Sequence, residues 1–519
     1  MKFWNKLSIR DKILALIVMA ELLLIFFTNL FCMPGLIDGD SAKLLTHLIK
    51  MWEHKTPAIH GWSYVSTLEW DCVTIFALPI YGLTKNIYFS CAVANELLAI
   101  LFVFTIWFIL SDKPKYVFLS CVALLLVPYS LGMLEYYNMM FFGVSQYIVK
   151  VMTPLMFVGL LLHEEKSKTK TIMTAIFLVL LLCTSASSGT YIVMCGLFPV
   201  IAVYLIERFF AWKKIPKDVL SLFCAMIPLM LIGWAVNKRL IGVTKAGSLN
   251  FTSMYVMLGW FSACFWGMFE LFGAATRDMD FPVVSAKGAL LFEKSLFVLV
   301  LVWNAFMSIR EVVAQKADRR KLFLISMFVW NYIILTFVYV KAGSETFEYR
   351  YHLVGIIPLV ILFVIRFWEA FHDWKLNAKQ EVIFLITLLS GFLIMLGGSY
   401  VSVYTMEDPN EELKCLVREC EKTDVKLAYL FNESNEADIC RFLAIDKMVF
   451  LDMLHNGNSW AYDYYGAPND TPVITEGTLL AVNTQKFHAD TDIPIPEGYE
   501  LEQICIIQNY ELYRFKQLE

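Results

Sequence analysis

Apolar runs of roughly bilayer-spanning length, separated by short polar stretches, fill most of the chain. They lie at about 12–33, 86–110, 115–134, 146–162, 171–187, 190–208, 219–236, 291–309, 322–340, 351–368 and 381–403. About twenty apolar residues are needed to cross a hydrocarbon layer as a helix, so the pattern predicts about eleven transmembrane helices. The first run follows MKFWNKLSIRDK, exceeds the apolar core of a secretory signal, and has no small-x-small cleavage site after it, which makes it a retained helix. From residue 405 the pattern changes. NEELKCLVRECEKT, VKLAYLF, EADICRFLA, KMVFLDM, TLLAVN, LEQICII and ELYRF alternate helix-like and strand-like periods, as in a small α/β domain. The expected architecture is therefore a polytopic α-helical membrane domain, residues 1–404, with external loops 34–85 and 237–290, and a soluble α/β domain, residues 405–519.

Charge orients this layout. With the N-terminus cytoplasmic, the inner loops are SDKPK, HEEKSKTK, ERFFAWKKIPKD, IREVVAQKADRRK and FHDWKLNAK, all short and rich in Lys and Arg. An odd number of spans then puts the tail outside the cytoplasmic membrane; residues 405–519 carry 9 Lys/Arg against 22 Asp/Glu. The apolar stretch 252–273 would invert the basic loops if it crossed, so it is read as a re-entrant or in-plane element of the outer leaflet. An apolar content of 58% and a mean hydropathy of +0.60 agree with a chain that has lipid for part of its solvent. The twelve cysteines include no CxxC; the four in the tail are read as buried thiols, with one disulfide as the alternative.

Within the spans charge is scarce, with Glu21, Glu96 and Lys150 the main exceptions, which disfavours a proton-coupled pump or a voltage sensor. Ionisable groups gather instead in the external loops. GLIDGDSAKLLTHL (35–48) opens an amphipathic helix: Leu44, Leu45, Leu48, Ile49 and Trp52 lie on one face, Lys43, Thr46, His47, Lys50 and His54 on the other. It is expected to lie flat on the outer leaflet, with Asp40 at its N-cap. Carboxylates at a water–lipid boundary can serve as general bases, and Arg or Lys can hold a phosphate through charge-assisted hydrogen bonds. For Asp38 and Asp40 the alternative role is to cap the helix and shape the turn.

The layout of residues 12–404 resembles the GT-C class of integral-membrane glycosyltransferases, which use polyprenyl-phosphate sugars on the non-cytoplasmic side. The resemblance rests on LIDGDSAKLLTHLIKMWEH after the first helix, TLEWD at 67–71 followed by ALPIYGLTKN, and ETFEYRYHLVGIIP at 345–358 leading into a Pro-containing helix. It implies a catalytic base at Asp40 or Asp38. Glu69 and Asp71 would assist, and Lys341, Tyr349, Arg350 and His352 would meet the lipid-linked substrate. The implied donor is a polyprenyl-phosphate-linked sugar and the acceptor a cell-surface glycan or lipid-linked saccharide. No WWDYG-type stretch is present, so protein N-glycosylation is not implied. The tail has no Gly-rich phosphate loop, and neither a nucleotide nor a nucleic acid is expected as cofactor or partner. Mg²⁺ or Mn²⁺ at the Asp-Gly-Asp stays open; His47, His54 and His60 with the first-loop acids are read as interfacial rather than metal-binding. The competing readings are an O-antigen ligase or polymerase, a transporter or flippase of lipid-linked saccharides, and a structural or sensory protein.

Overall fold

The computed structural model describes residues 7–518, leaving aside 60–61, 63–67, 133–134, 164, 213, 241–252, 276–280, 343–348, 375, 454–458, 461–473, 488–492 and 494. Helix α1 (Ile9–Phe31) starts with a capping box: the Ser8 hydroxyl accepts from the Asp11 amide at 3.1 Å, and the Asp11 carboxylate accepts from the Ser8 amide at 3.3 Å. α2 (Gly39–His54) and α3 (Val73–Thr84) occupy the first loop. α4 (Ile87–Leu110) is followed by α5 (Lys115–Leu126), which stops well before residue 134. Pro128 pushes Val127 into an extended conformation with ψ 131°, so the helix cannot continue through it. After α6 (Tyr136–Phe141) and α7 (Ile148–Leu162), α8 (Lys168–Tyr191) runs through a π-helical turn, Ile192–Leu197, into α9 (Phe198–Phe210).

That run is 43 residues long. At 1.5 Å per residue it would measure about 65 Å, twice a hydrocarbon layer. Ser188, with φ −110° and ψ 33°, breaks it and restores the two segments read from the sequence. α10 (Lys217–Leu240), α11 (Met254–Leu271), α12 (Ala286–Val313), α13 (Arg319–Ala342), a 3₁₀ turn (Tyr349–His352), α14 (Leu353–Asp373) and α15 (Ala378–Tyr404) complete the bundle. Among the described residues eight helical runs are long and apolar enough to cross a membrane; α3, α5 and α7 are shorter apolar helices. With the run divided at Ser188 and α5 and α7 included, these are the eleven predicted segments. The bundle exposes large apolar side chains such as Leu16, Phe104, Leu231, Trp303 and Ile386, as a lipid-facing surface does. α11 packs on α12, α13 and the 3₁₀ turn.

At one end of the bundle, the basic loops meet. Arg319 forks onto Glu207 at 2.6 and 2.8 Å, Arg320 pairs with Asp112, Lys321 with Glu369 (2.5 Å), Arg366 with Glu311 (2.9 Å) and Lys113 with Glu369 (3.3 Å). These contacts join four of the separate helix-connecting regions, so those connections share one face of the bundle, as the charge pattern requires.

The tail folds as α16 (Glu411–Glu421), β1 (Leu427–Phe431), α17 (Ser434–Leu443), β2 (Val449–Met453), β3 (Ser459–Trp460), β4 (Leu479–Asn483), β5 (Tyr499–Ile507) and β6 (Tyr510–Gln517). The sheet order is β3-β2-β1-β4-β6-β5, with β1 parallel to β2 and β4 and the other pairs antiparallel. Period-two alternation explains its two cores: Ala428 and Leu430 join the helix-side cluster, while Tyr429 and Phe431 join Leu451, Met453, Leu480 and Val482 on the other face. β1 and β4 are buried on both faces, as parallel central strands are. The tail cysteines are all thiols, Cys420 and Cys440 buried, Cys415 and Cys505 half-buried.

The sheet domain is fastened to the bundle beside α2. The buried Asn410 amide donates to the Ile37 carbonyl at 2.7 Å, Lys50 meets Asp446 at 3.2 Å, and Phe442 packs edge-on against Tyr88.

Candidate active site

The Asp-Gly-Asp sits where α1 hands over to α2. Asp38, rather than the expected Asp40, is the N-cap: its Oδ1 accepts from the Ser41 amide at 2.7 Å. Ser41 is the third residue after Asp38, the spacing at which a capping carboxylate reaches a free amide, so the helix begins at Gly39 and Asp40 falls within its first turn. The other carboxylate oxygen of Asp38 faces the Asn138 amide at 3.5 Å. Burial pushes the Asp38 carboxyl above the usual carboxylate range and the Asp40 charge adds to this, against the pull of Ser41 and Asn138. Asp40 is more open, its side chain 39% exposed, with the Lys43 ammonium 3.6 Å away.

α2 does not lie free on the surface. Thr46 and His47, placed on the polar face by periodicity, are buried. His47 lies 3.3 Å from the Glu69 carboxylate and stacks on Trp62 with ring centres 4.4 Å apart. Glu69 reaches it from a left-handed backbone conformation, φ +66°. Trp52, in the last turn of α2, covers Gly82 of α3, where a Cβ would run into the indole. Among the described residues no three His, Cys, Asp or Glu side chains converge as a metal site; His60 lies outside them.

A second polar group is buried deeper. Asp71, fully enclosed, lies 3.6 Å from the Lys150 ammonium, itself buried, and beside the Ser188 hydroxyl at the break in α8. Burial pushes the Asp71 carboxyl upward; the Lys150 charge and the Ser188 hydroxyl oppose this without cancelling it. The Trp70 amide donates to Ser187 at 2.8 Å, tying the TLEWD segment to the same break. Lys150 lies over the Tyr147 ring at 4.7 Å, and Tyr147, Tyr191 and Tyr351 form an aromatic cluster with centres 5.6–6.3 Å apart. The Tyr191 hydroxyl donates to the Tyr351 carbonyl at 2.7 Å, and the Arg350 guanidinium lies 5.7 Å from the Tyr351 ring. His352 is buried between the Tyr332 ring, stacked at 4.2 Å, and Asn331 at 3.3 Å.

One segment serves both groups. Residues 135–150 carry Asn138 to Asp38 and Lys150 to Asp71. They are pinned by the Tyr147 amide donating to the Met139 carbonyl and by the Val73 amide donating to the Val144 carbonyl.

Asp38 and Asp40 thus form one cluster, Glu69 is joined to His47, Asp71 is paired with Lys150, Arg350 lies beside Tyr351 of the tyrosine cluster, Tyr349 shares the 3₁₀ turn with them, and His352 packs against Tyr332 and Asn331 instead. The Lys341 side chain, Glu345 and Glu348 lie outside the described residues. The sequence reading missed Asn138, Tyr147, Tyr191 and Ser187–Ser188, and noted Lys150 only as a charge at depth. An isolated lysine in an apolar run, preceded by a tyrosine, was the available signal.

No family model and no curated protein sequence matches the chain. Solved structures do. The chain is similar to ArnT from Cupriavidus metallidurans in the apo state, at 10% identity with a TM-score of 0.58. It is also similar to the same protein bound to undecaprenyl phosphate, at 11% identity with a TM-score of 0.55. Both likenesses cover 96% of this chain and 97% of the other. The GT-C-like fold expected from the sequence, membrane bundle and sheet domain together, is therefore the fold of this protein.

Proposed function

We propose that the protein is a membrane glycosyltransferase moving a sugar from a polyprenyl-phosphate donor to a hydroxyl of a cell-surface glycan or lipid-linked acceptor. The reading places the N-terminus in the cytoplasm and residues 405–519 outside. It is carried by Asp38, a half-buried carboxylate at the head of α2, shortly after the first membrane helix, held there by the Ser41 amide and facing Asn138. The likeness to a structure bound to undecaprenyl phosphate supports a lipid-phosphate partner.

In this reaction the acceptor oxygen forms a bond to the anomeric carbon while the bond from that carbon to the phosphate oxygen breaks. The acceptor proton goes to Asp38, whose raised carboxyl is a stronger base than an open aspartate. The electron pair leaves with the polyprenyl phosphate. Asp40, more exposed and shared with Lys43, shapes the acceptor side. Lys150 and Arg350, with Lys341, are the cations suited to steady the phosphate leaving group, and the tyrosine cluster gives its isoprenoid end an apolar wall. Glu69 holds His47 and so the inner face of α2.

The test is surface-glycan mass spectrometry of a host lacking the gene, complemented at equal protein levels with wild type, Asp38→Asn or Asp40→Asn. Asn retains much of the capping ability but cannot take the proton. One sugar absent in the deletion, restored by wild type and still absent with Asp38→Asn is the expected result. Full restoration by Asp38→Asn alone moves the base to Asp40. Full restoration by both variants refutes the reading and favours transport of the lipid-linked saccharide.

A further inference from the structure

The glycine between the two aspartates is in contact with the sheet domain. A Cβ built on Gly39 would lie 2.8 Å from Asn435 Oδ1, 2.9 Å from its Cβ and 3.0 Å from its Cα. Real Cβ atoms do not approach so closely, so the first turn of α17 rests directly on the Gly39 peptide. The seam is locked one turn further along: Lys43 reaches Asp438 at 3.1 Å, and Arg441 holds the same carboxylate at 2.8 Å while donating to the Phe450 carbonyl at 2.7 Å. Asp438 and Arg441 are buried, so this is a fixed joint rather than a passing surface contact.

On its open side the seam shows a different chemistry. Asn432, Ser434 and Asn435 are exposed, and Glu436 is half-buried. Asn435 has no hydrogen-bond partner among the described residues, so its amide offers donors and an acceptor a few ångströms from the backbone that separates Asp38 from Asp40. Neutral amides and hydroxyls next to carboxylates match the vicinal hydroxyls of a saccharide, each of which both donates and accepts. The cationic and aromatic groups, Lys150, Arg350 and the tyrosines, belong to the other part of the site, where a phosphate and an isoprenoid fit.

We propose that the sheet domain supplies the acceptor side of the active site, with Asn435 binding the hydroxyls of a saccharide acceptor beside Asp38 and Asp40. The inference rests on the glycosyltransferase reading. It gives the Asp-Gly-Asp glycine a function: any side chain there would push the acceptor-binding turn away from the base. It also makes Asn435 a specificity-determining residue, since its amide pattern selects which hydroxyl is presented.

The test uses the full-length protein in nanodiscs. Lipid-linked saccharides extracted from a host lacking the gene serve as acceptor, and polyprenyl-phosphate sugars from the same membranes as donor. Initial rates are measured against acceptor concentration for wild type, Asn435→Ala, Asn435→Ser and Asp38→Asn. One neutral hydrogen bond contributes about 0.5–1.5 kcal/mol, so Asn435→Ala is expected to raise the acceptor KM about three- to tenfold with kcat within twofold. Asn435→Ser, which keeps a hydroxyl, is expected to fall between the two. Asp38→Asn is expected to lower kcat with KM little changed. An unaltered acceptor KM in both Asn435 variants, or a loss confined to kcat, overturns the acceptor assignment while the Asp38→Asn result stands on its own. A wild type that transfers nothing overturns both.

Discussion

Replacing Lys150 by methionine tests whether the buried Asp71–Lys150 pair is an ion pair in the folded protein. At 3.6 Å and an effective dielectric constant of 20, opposite unit charges attract by about 5 kcal/mol. Losing one partner of a buried pair typically costs about 3–5 kcal/mol. The cost in Lys150→Met has a particular pH dependence. Burial already raises the Asp71 carboxyl, and Lys150 is the main influence holding it down. Without Lys150 the carboxyl rises further, and the folded state then binds a proton that the unfolded chain, at about 3.9, does not. Stability is therefore lost as pH rises through that folded value and recovered as pH falls. The recovery is confined to the pH range above the unfolded value in which the folded carboxyl keeps its proton, and over that range it grows steadily as pH falls. The assay is thermal unfolding of purified protein in nanodiscs between about pH 7.5 and 5.5. The gap in Tm between wild type and Lys150→Met should be largest at pH 7.5 and narrow steadily towards 5.5. Asp71→Asn should be destabilised without that narrowing, and the double variant should recover much of the loss. A gap independent of pH, or a double variant whose loss equals the sum of the singles, refutes the pairing.

Three other expectations follow from the site. If the raised Asp38 carboxyl is the base, kcat/KM falls as pH drops through its pKa, so the acid limb of the rate profile should lie above the ordinary aspartate value of about 3.9; a limb at or below 4 refutes that assignment. Arg350→Lys keeps the charge but loses the planar fork, and should lower kcat/KM on the order of tenfold if the guanidinium grips phosphate; an unchanged value reduces Arg350 to an anchor beside Tyr351. Gly39→Ala gains about 1 kcal/mol of helix propensity but forces a Cβ into the Asn435 backbone, where overpacking costs about 1–3 kcal/mol. A lowered Tm is expected, and an unchanged or raised one would show that the joint yields.

What the sequence disclosed follows from how local each signal is. The bundle is legible because apolar length is a property of each segment alone, and β1, β2, β4, β5 and β6 are legible because a short apolar or alternating run is too. Boundaries failed where one residue decided them, as Pro128 does for α5. The N-cap was misplaced by two positions because the apolar period becomes visible only after Asp40; the choice falls to whichever carboxylate reaches a free amide, and Asp38 reaches Ser41. His47 was assigned to water because its burial comes from Glu69 and Trp62, residues outside its own helix. Asp71 and Lys150 meet across four intervening helices, a pairing that no local period encodes.

Looking for charge inside the spans also passed over the neutral groups that build the site. Asn29 on α1 donates to the Ile25 and Phe141 carbonyls at 2.9 and 2.8 Å, and its own oxygen accepts from the Gly143 amide at 2.8 Å and from Asn95 at 3.0 Å. Asn95 on α4 also donates to the Gly143 carbonyl at 2.9 Å and accepts from the Ser145 hydroxyl. Both amides are fully buried, where an unpaired polar group costs several kcal/mol in a lipid-surrounded interior. Here every amide hydrogen and both oxygens are engaged, so the burial cost enforces one arrangement rather than opposing the fold. That arrangement fixes the turn at Gly143, whose φ of +61° suits glycine, and with it the segment that presents Asn138 to Asp38 and Lys150 to Asp71. The two halves of the site are therefore set by one uncharged clamp in the membrane domain, which holds the carboxylates and the buried cation in place without placing a further charge near them.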